Sequence, residues 1–149
     1  MDAGVQRTVR EKVYAYVTQN EHVLVFRHVD FPEAGLQVPG GTVQPGESLP
    51  EAALREAIEE TGVAGLEIVA ALGDTWFDPA AYGGADEVHH RHFFHLRAAT
   101  PLPATWRHEE RDPATGGPPI LFAFFWLPLA EAPARLIANM GALANLVQR

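Results

Sequence analysis

GTVQPGESLPEAALREAIEETGV, from Gly41 to Val63, couples a glycine- and proline-rich loop to a helix crowded with carboxylates. Ser48 is a good N-cap and Glu51, three residues on, completes a capping box, with Pro50 tolerated in the first turn. The helix therefore starts at about Ser48. Gly62 ends it, because a residue tolerant of positive φ closes a helix at little cost.

Glu56, Glu59 and Glu60 stand at i, i+3 and i+4, so the helical period places all three on one face. Leu54, Ala57, Ile58 and Thr61 are expected to point toward a core. Like charges at these spacings destabilise a bare helix by a few tenths of a kcal/mol per pair. Arg55 can pair with Glu59 and Glu51, but one guanidinium does not balance five carboxylates once Glu47 is counted. A hard divalent cation with oxygen ligands is the natural remaining partner. The backbone carbonyl of Gly40 or Gly41 could add an oxygen, since glycine allows a close approach.

These residues resemble the signature of the Nudix (MutT-type) family: a glycine, a glutamate, an Arg-Glu pair, an aliphatic position, Glu-Glu, a glycine and a final aliphatic residue. Gly41, Glu47, Arg55, Glu56, Ala57, Glu59, Glu60, Gly62 and Val63 supply every position. Seven fixed identities at a given start arise by chance on the order of one time in 10⁸, which disfavours a merely solvated acidic face. The resemblance implies that Glu56 and Glu60 are the main metal ligands, with Glu59 a further ligand or the activator of water. It implies that Glu47 and Arg55 hold the ligands from behind as a bidentate pair, that Gly41 belongs to the metal site, and that the ion is Mg²⁺, with Mn²⁺ as substitute.

The whole chain, 149 residues, is the size of one domain, and 47% apolar with 20% charged residues is normal for a globular protein. A single domain over 1–149 is expected. The formal net charge of −8 argues against general binding to nucleic acid or an anionic membrane. It leaves phosphorylated small molecules open, because a metal ion reverses the sign locally. With no cysteine there is no disulfide and no thiol nucleophile, in keeping with a reducing cytoplasm. MDAGVQRTVREK has no apolar signal-peptide core, and Ile120 to Ala130 is too short to span a bilayer.

In chain order, Val13 to Thr18 and His22 to Val29 read as a hairpin joined at Gln19 to Glu21. Leu36 to Val38 reads as a short strand, and Pro39 to Gly46 as the loop into the helix. Leu66 to Trp76 and Val88 to Ala98 are strands separated by a loop, Asp78 to Asp86. Thr100 to Pro119 reads as a long irregular loop, and Ile120 to Leu127 as a strand covered on both faces. Leu136, Ile137, Met140, Leu143, Ala144 and Val147 repeat at helical spacing and predict a C-terminal amphipathic helix. The expected class is α/β, a mixed β-sheet between helices, which agrees with the α/β/α sandwich that the Nudix resemblance implies.

The same resemblance implies water attack on a phosphorus of a nucleoside diphosphate linked to a group X, with metal ions neutralising the phosphate oxygens and activating the water. The general base is expected to be Glu59, with Glu109 or Glu110 as the rival, from the stretch TWRHEERDP that also carries Asp112. Trp76, Phe77 and Trp106 are candidates to stack on a base, and Arg91 to meet a phosphate. Pro79, sixteen residues past the signature, stands where ADP-ribose-cleaving members of the family have proline. Alternation splits His89 and His95 from His90 and His92; a His-x-His pair can bind zinc, but no third ligand stands at a recognisable spacing, so one or two of these histidines are expected to line the substrate cleft and the others to sit in solvent. Two other functions compete: the same chemistry on a nucleoside triphosphate, and a non-catalytic nucleotide sensor. The expected partner is a small phosphorylated molecule, and a homodimer is compatible with the chain.

Overall fold

The computed structural model describes residues 6–111 and 116–148. Seven strands run β1 (Thr8–Gln19), β2 (His22–His28), β3 (Gly40–Thr42), β4 (Leu66–Phe77), β5 (Glu87–Ala98), β6 (Trp106–Glu110) and β7 (Ile120–Pro128); the helices are α1 (Leu49–Thr61) and the short α2 (Ala132–Arg135). The sheet is ordered β4-β5-β1-β2-β7-β6, with β3 laid against β1. β1 and β5 are parallel, and among the described residues every other pair of these strands is antiparallel. The result is the expected mixed α/β sheet.

β1 is the central strand, which explains its nearly unbroken apolar run from Val13 to Val17. Successive side chains serve opposite faces. Val13, Ala15 and Val17 pack with Ala52, Ala53 and Ala57 of α1, while Tyr14 and Tyr16 pack with Met140, Ala144 and Val147 of the C-terminal segment. The hairpin turns on Asn20 and Glu21, both at positive φ. Its two strands pair only at Thr18 with Val23 and Gln19 with His22, then diverge. β1 goes to β5 and β3, and β2 goes to β7.

Four expectations need correction. The stretch from Thr100 to Pro119 is not wholly irregular: residues 106–110 form β6, an edge strand whose polar alternation reads as loop until β7 pairs with it. Leu36 to Val38 makes only isolated bridges, Phe26 to Gln37 and Leu36 to Leu136, and the strand falls later, at Gly40–Thr42. Ile58 does not face the core; it is 38% exposed.

The C-terminal amphipathic helix is replaced by α2 and 3-10 turns at Ile137–Asn139 and Ala144–Leu146. Leu136 is extended, Ala138 and Asn139 have positive φ, and the Ile137 N–H donates to the Leu36 carbonyl, outside any helix. The apolar positions are buried all the same: Leu136, Met140, Ala144 and Val147 complete the second core. Tyr16 fixes this segment by donating its hydroxyl to the Met140 carbonyl at 2.6 Å. Among the described residues no helix is long and apolar enough to cross a membrane.

Candidate metal-dependent active site

α1 begins and ends as its caps dictate. The Glu51 N–H donates to Ser48 Oγ at 3.2 Å, and Gly62 adopts the left-handed conformation with its N–H on the Ile58 carbonyl. β6 holds the C-terminal end of the helix. Trp106 stacks on Phe124 with ring centroids 5.1 Å apart and donates Nε1–H to the Thr61 carbonyl at 2.9 Å. His108 Nε2 lies 3.1 Å from the Glu59 carbonyl oxygen.

With its ends fixed, α1 aims Glu56 and Glu60 at β3. Glu60 is 7% exposed, and its Oε1 accepts the Gly40 N–H at 2.6 Å. Glu56 lies so close to Gly41 that a Cβ there would overlap its carboxylate. The two carboxylates, Gly40, Gly41, Lys12 and Glu110 line a cleft of about 490 Å³. Asp112 lies outside the described residues.

Arg55 organises the rim. It donates Nε and Nη2 to the two Glu47 oxygens at 2.6 and 2.9 Å, a bidentate pair, and Nη1 to Glu56 at 2.9 Å. Nη2 also reaches the Thr42 carbonyl at 3.1 Å. Hydrogen bonds from Arg55 and from the Gln44 N–H hold the Glu47 carboxyl down at about 2. The Lys12 ammonium donates to Thr42 Oγ1 at 2.8 Å, and burial lowers its pKa.

The inner carboxylates behave oppositely. Burial pushes Glu60 well above the usual carboxylate range, and the Gly40 N–H offsets this only in part; repulsion from Glu56, Glu110 and Glu59 adds to it. Burial likewise raises Glu56 against the pull of Arg55, with Glu59 and Glu110 repelling it. Converging carboxylates that are costly to ionise by themselves are the donor set a hard divalent cation satisfies. The glycine cradle at Gly41 leaves the room that a side chain would fill. Glu56 and Glu60 therefore fit such an ion.

The other candidates separate by location. Glu59 is half exposed and 3.4 Å from Arg55 at the edge of the cleft. Along β6, alternation turns Glu110 into the cleft, where burial and Glu59 raise its pKa, while Glu109 faces out beside Arg111. Phe77 and Arg91 come together elsewhere, in a cavity of about 360 Å³ with Tyr14, Tyr82 and Met140. Arg91 is 3% exposed, lies 3.8 Å from the Phe77 ring centroid and donates to the Ala138 carbonyl. Trp76 is outside both spaces, stacked on His90, and Trp106 is packed against Phe124.

Lys12 was not singled out from sequence. It reaches the cleft only because β1 pairs Lys12 with Thr42 across β3. An apolar recess of about 250 Å³, formed by His28, Phe31, Pro119 and Ile120, shares Ile120 with the acidic cleft. That too depends on tertiary pairing.

A family model described as NUDIX domain matches residues 8–146. Among curated proteins none matches the chain. Its structure is similar to that of the MutT protein from Methanosarcina mazei Go1, with a TM-score of 0.66 at 19% identity over 95% of this chain and 94% of that one. A UDP-X diphosphatase is similar at a TM-score of 0.65 and 17% identity, covering 97% of this chain and 64% of that chain. C. elegans Ap4A hydrolase is similar at a TM-score of 0.56 and 18% identity, over 95% of this chain and 96% of that one. At these identities the likeness is one of fold.

Proposed function

Because the chain belongs to the Nudix family of hydrolases, which act on phosphoanhydrides with a divalent metal, we propose that it is a Mg²⁺-dependent pyrophosphohydrolase of nucleoside diphosphates linked to a second group. The observation that carries this reading is the convergence of Glu56 and Glu60 on the glycine strand, with Arg55 locked behind them by Glu47. The solved relatives that act on Ap4A and UDP-X support a nucleotide substrate.

Bound Mg²⁺, or Mn²⁺ in its place, would neutralise the phosphate oxygens and lower the pKa of the attacking water. The chain's own groups do the rest. Glu56 and Glu60 hold the positive charge at the floor of the cleft. Arg55 and Glu47 fix the Glu56 carboxylate through paired, charge-assisted bonds, so its direction survives substrate entry. Lys12 offers an ammonium to a phosphate oxygen. Glu110 takes the proton from the attacking water, and Glu59 is the rival for that role. Both carboxylates line or border the cleft, but Glu110 is the more buried and points into it. The nucleoside lies in the recess of His28, Phe31 and Ile120, which shares Ile120 with the acidic cleft.

Purified protein with Mg²⁺ and a panel of ADP-ribose, NADH, diadenosine polyphosphates, CoA, NTPs and dNTPs tests the proposal. A nucleoside monophosphate plus a phosphorylated second group is the expected product pair. Nucleoside monophosphate plus pyrophosphate would move the substrate to the triphosphates, and no cleavage at all would favour a nucleotide sensor.

A further inference from the structure

Outside the acidic cleft, on strands β1, β4 and β5, two histidines and two carboxylates converge. The parallel register sets Glu11 beside His90, and the antiparallel register sets Asp74 beside His92. Glu11, His90 and His92 each present a ligand atom, and these atoms lie within 4.8 Å of one another. His92 Nε2 is 2.8 Å and His90 Nδ1 is 3.0 Å from the same oxygen, Glu11 Oε1. His90 Nε2 is 2.5 Å from Asp74 Oδ2.

In their neutral forms the two rings do not satisfy these contacts. Two neutral imidazoles carry one N–H each, yet three ring nitrogens face carboxylate oxygens. If His90 donates Nε2–H to Asp74, its Nδ1 lone pair points at a carboxylate lone pair. A second proton on His90 resolves this arrangement, and so does a cation between Nδ1, His92 Nε2 and Glu11 Oε1; three ligand atoms converging within 4.8 Å is the geometry a cation takes. The cation would also make Asp74–His90–metal the triad in which a carboxylate fixes the tautomer of a metal-binding histidine. Trp76 covers the outer ring face of His90, with centroids 4.2 Å apart and planes 2° from parallel, so the ring cannot readily turn away. The histidines are largely buried and Glu11 is half exposed, which leaves the open coordination positions toward water.

We propose that Glu11, His90 and His92 form a second metal site, selective for a borderline divalent cation of the Zn²⁺ class and separate from the carboxylate cleft. Two imidazoles and one carboxylate make a donor set that suits Zn²⁺, Co²⁺ or Ni²⁺ better than Mg²⁺. His90 and Glu11 sit far apart in the chain, and His92 and Glu11 are 81 positions apart. The third ligand therefore has no sequence spacing to reveal it.

The test is a Co²⁺ titration of the full chain in excess Mg²⁺, followed by visible d–d absorption and tryptophan fluorescence, with Zn²⁺ as competitor. One Co²⁺ per chain is expected, displaced by Zn²⁺ and accompanied by quenching. Of the three tryptophans, Trp76 should supply that quenching, so Trp76→Phe should retain the absorption and lose most of it. His90→Ala and His92→Ala should each weaken binding at least about tenfold, and Asp74→Asn should do so by roughly the same factor through the orientation of His90. Glu60→Gln should leave the Co²⁺ spectrum unchanged. No Co²⁺ uptake above Mg²⁺ in the wild type would overturn the proposal. So would an unchanged spectrum in the folded double variant His90→Ala/His92→Ala, or loss of the spectrum in Glu60→Gln.

Discussion

At Gly41 the cleft has no room for one more atom. A methyl group there would overlap the Glu56 carboxylate, and with Arg55 holding the other side the carboxylate has nowhere equivalent to go. Gly41→Ala is therefore expected to lower kcat by about a hundredfold and to raise the Mg²⁺ concentration for half-maximal activity, measured by steady-state kinetics over a metal series. Phe31, 59% exposed at the lip of the apolar recess, is expected to act in binding alone. Stacking on a base is worth about 1 to 3 kcal/mol, so Phe31→Ala should raise KM about tenfold and leave kcat nearly unchanged. The residues of α1 were legible in sequence because helical periodicity puts Glu56 and Glu60 on one face whatever surrounds them. Choosing Glu110 over Glu109 was not possible in the same way. Their difference is the parity of β6, which exists only through its register with β7.

At the scale of elements, the end of α1 depends on a strand that sequence reads as loop. WRHEE has one apolar residue in five, and its alternation becomes meaningful only when Trp106, His108 and Glu110 face the helix. Trp106→Phe keeps an aromatic ring against Phe124 and loses the hydrogen bond to the Thr61 carbonyl. It should cost about 1 kcal/mol in denaturant unfolding and reduce activity modestly through looser placement of the Glu60 turn. The C-terminal segment makes the complementary point. Apolar residues spaced as in a helix pack against the core here, but the same spacing is met by successive 3-10 turns. Local backbone settled which: Pro133 sits in the first turn of α2, and Ala138 and Asn139 reverse the sign of φ.

For the whole molecule, the net charge of −8 is distributed so that the cleft and its rim respond to acid in opposite ways. Glu47, held at about 2 against an ordinary value of 4.5, binds fewer protons in the folded than in the unfolded chain between those two values. Its contribution to stability is complete above about pH 4.5 and disappears as pH falls through about 2. Glu47→Gln should accordingly flatten the fall in urea midpoint across that window relative to wild type. Glu56 and Glu60 lie on the other side of the balance, since burial disfavours their ionised forms. Added Mg²⁺ should raise the thermal midpoint near neutral pH, and EDTA should remove both that gain and the activity. The sheet order that brings these groups together was visible only in outline. A mixed α/β sheet follows from the run of strands and one strong helix, whereas the parallel pairing of β1 with β5, and every cluster it creates, depends on contacts between distant segments.

The most direct measurement of the central claim is hydrolysis of the best panel substrate by wild type and Glu60→Gln across a Mg²⁺ titration, with circular dichroism of both proteins. Glutamine can still accept the Gly40 N–H, so the fold should persist, with an unchanged or higher thermal midpoint because a buried carboxylate has been removed. The predicted result is a loss in kcat of about 10² to 10³-fold that saturating Mg²⁺ does not restore. Undiminished, Mg²⁺-dependent activity in folded Glu60→Gln would rule out Glu60 as a ligand of the catalytic ion.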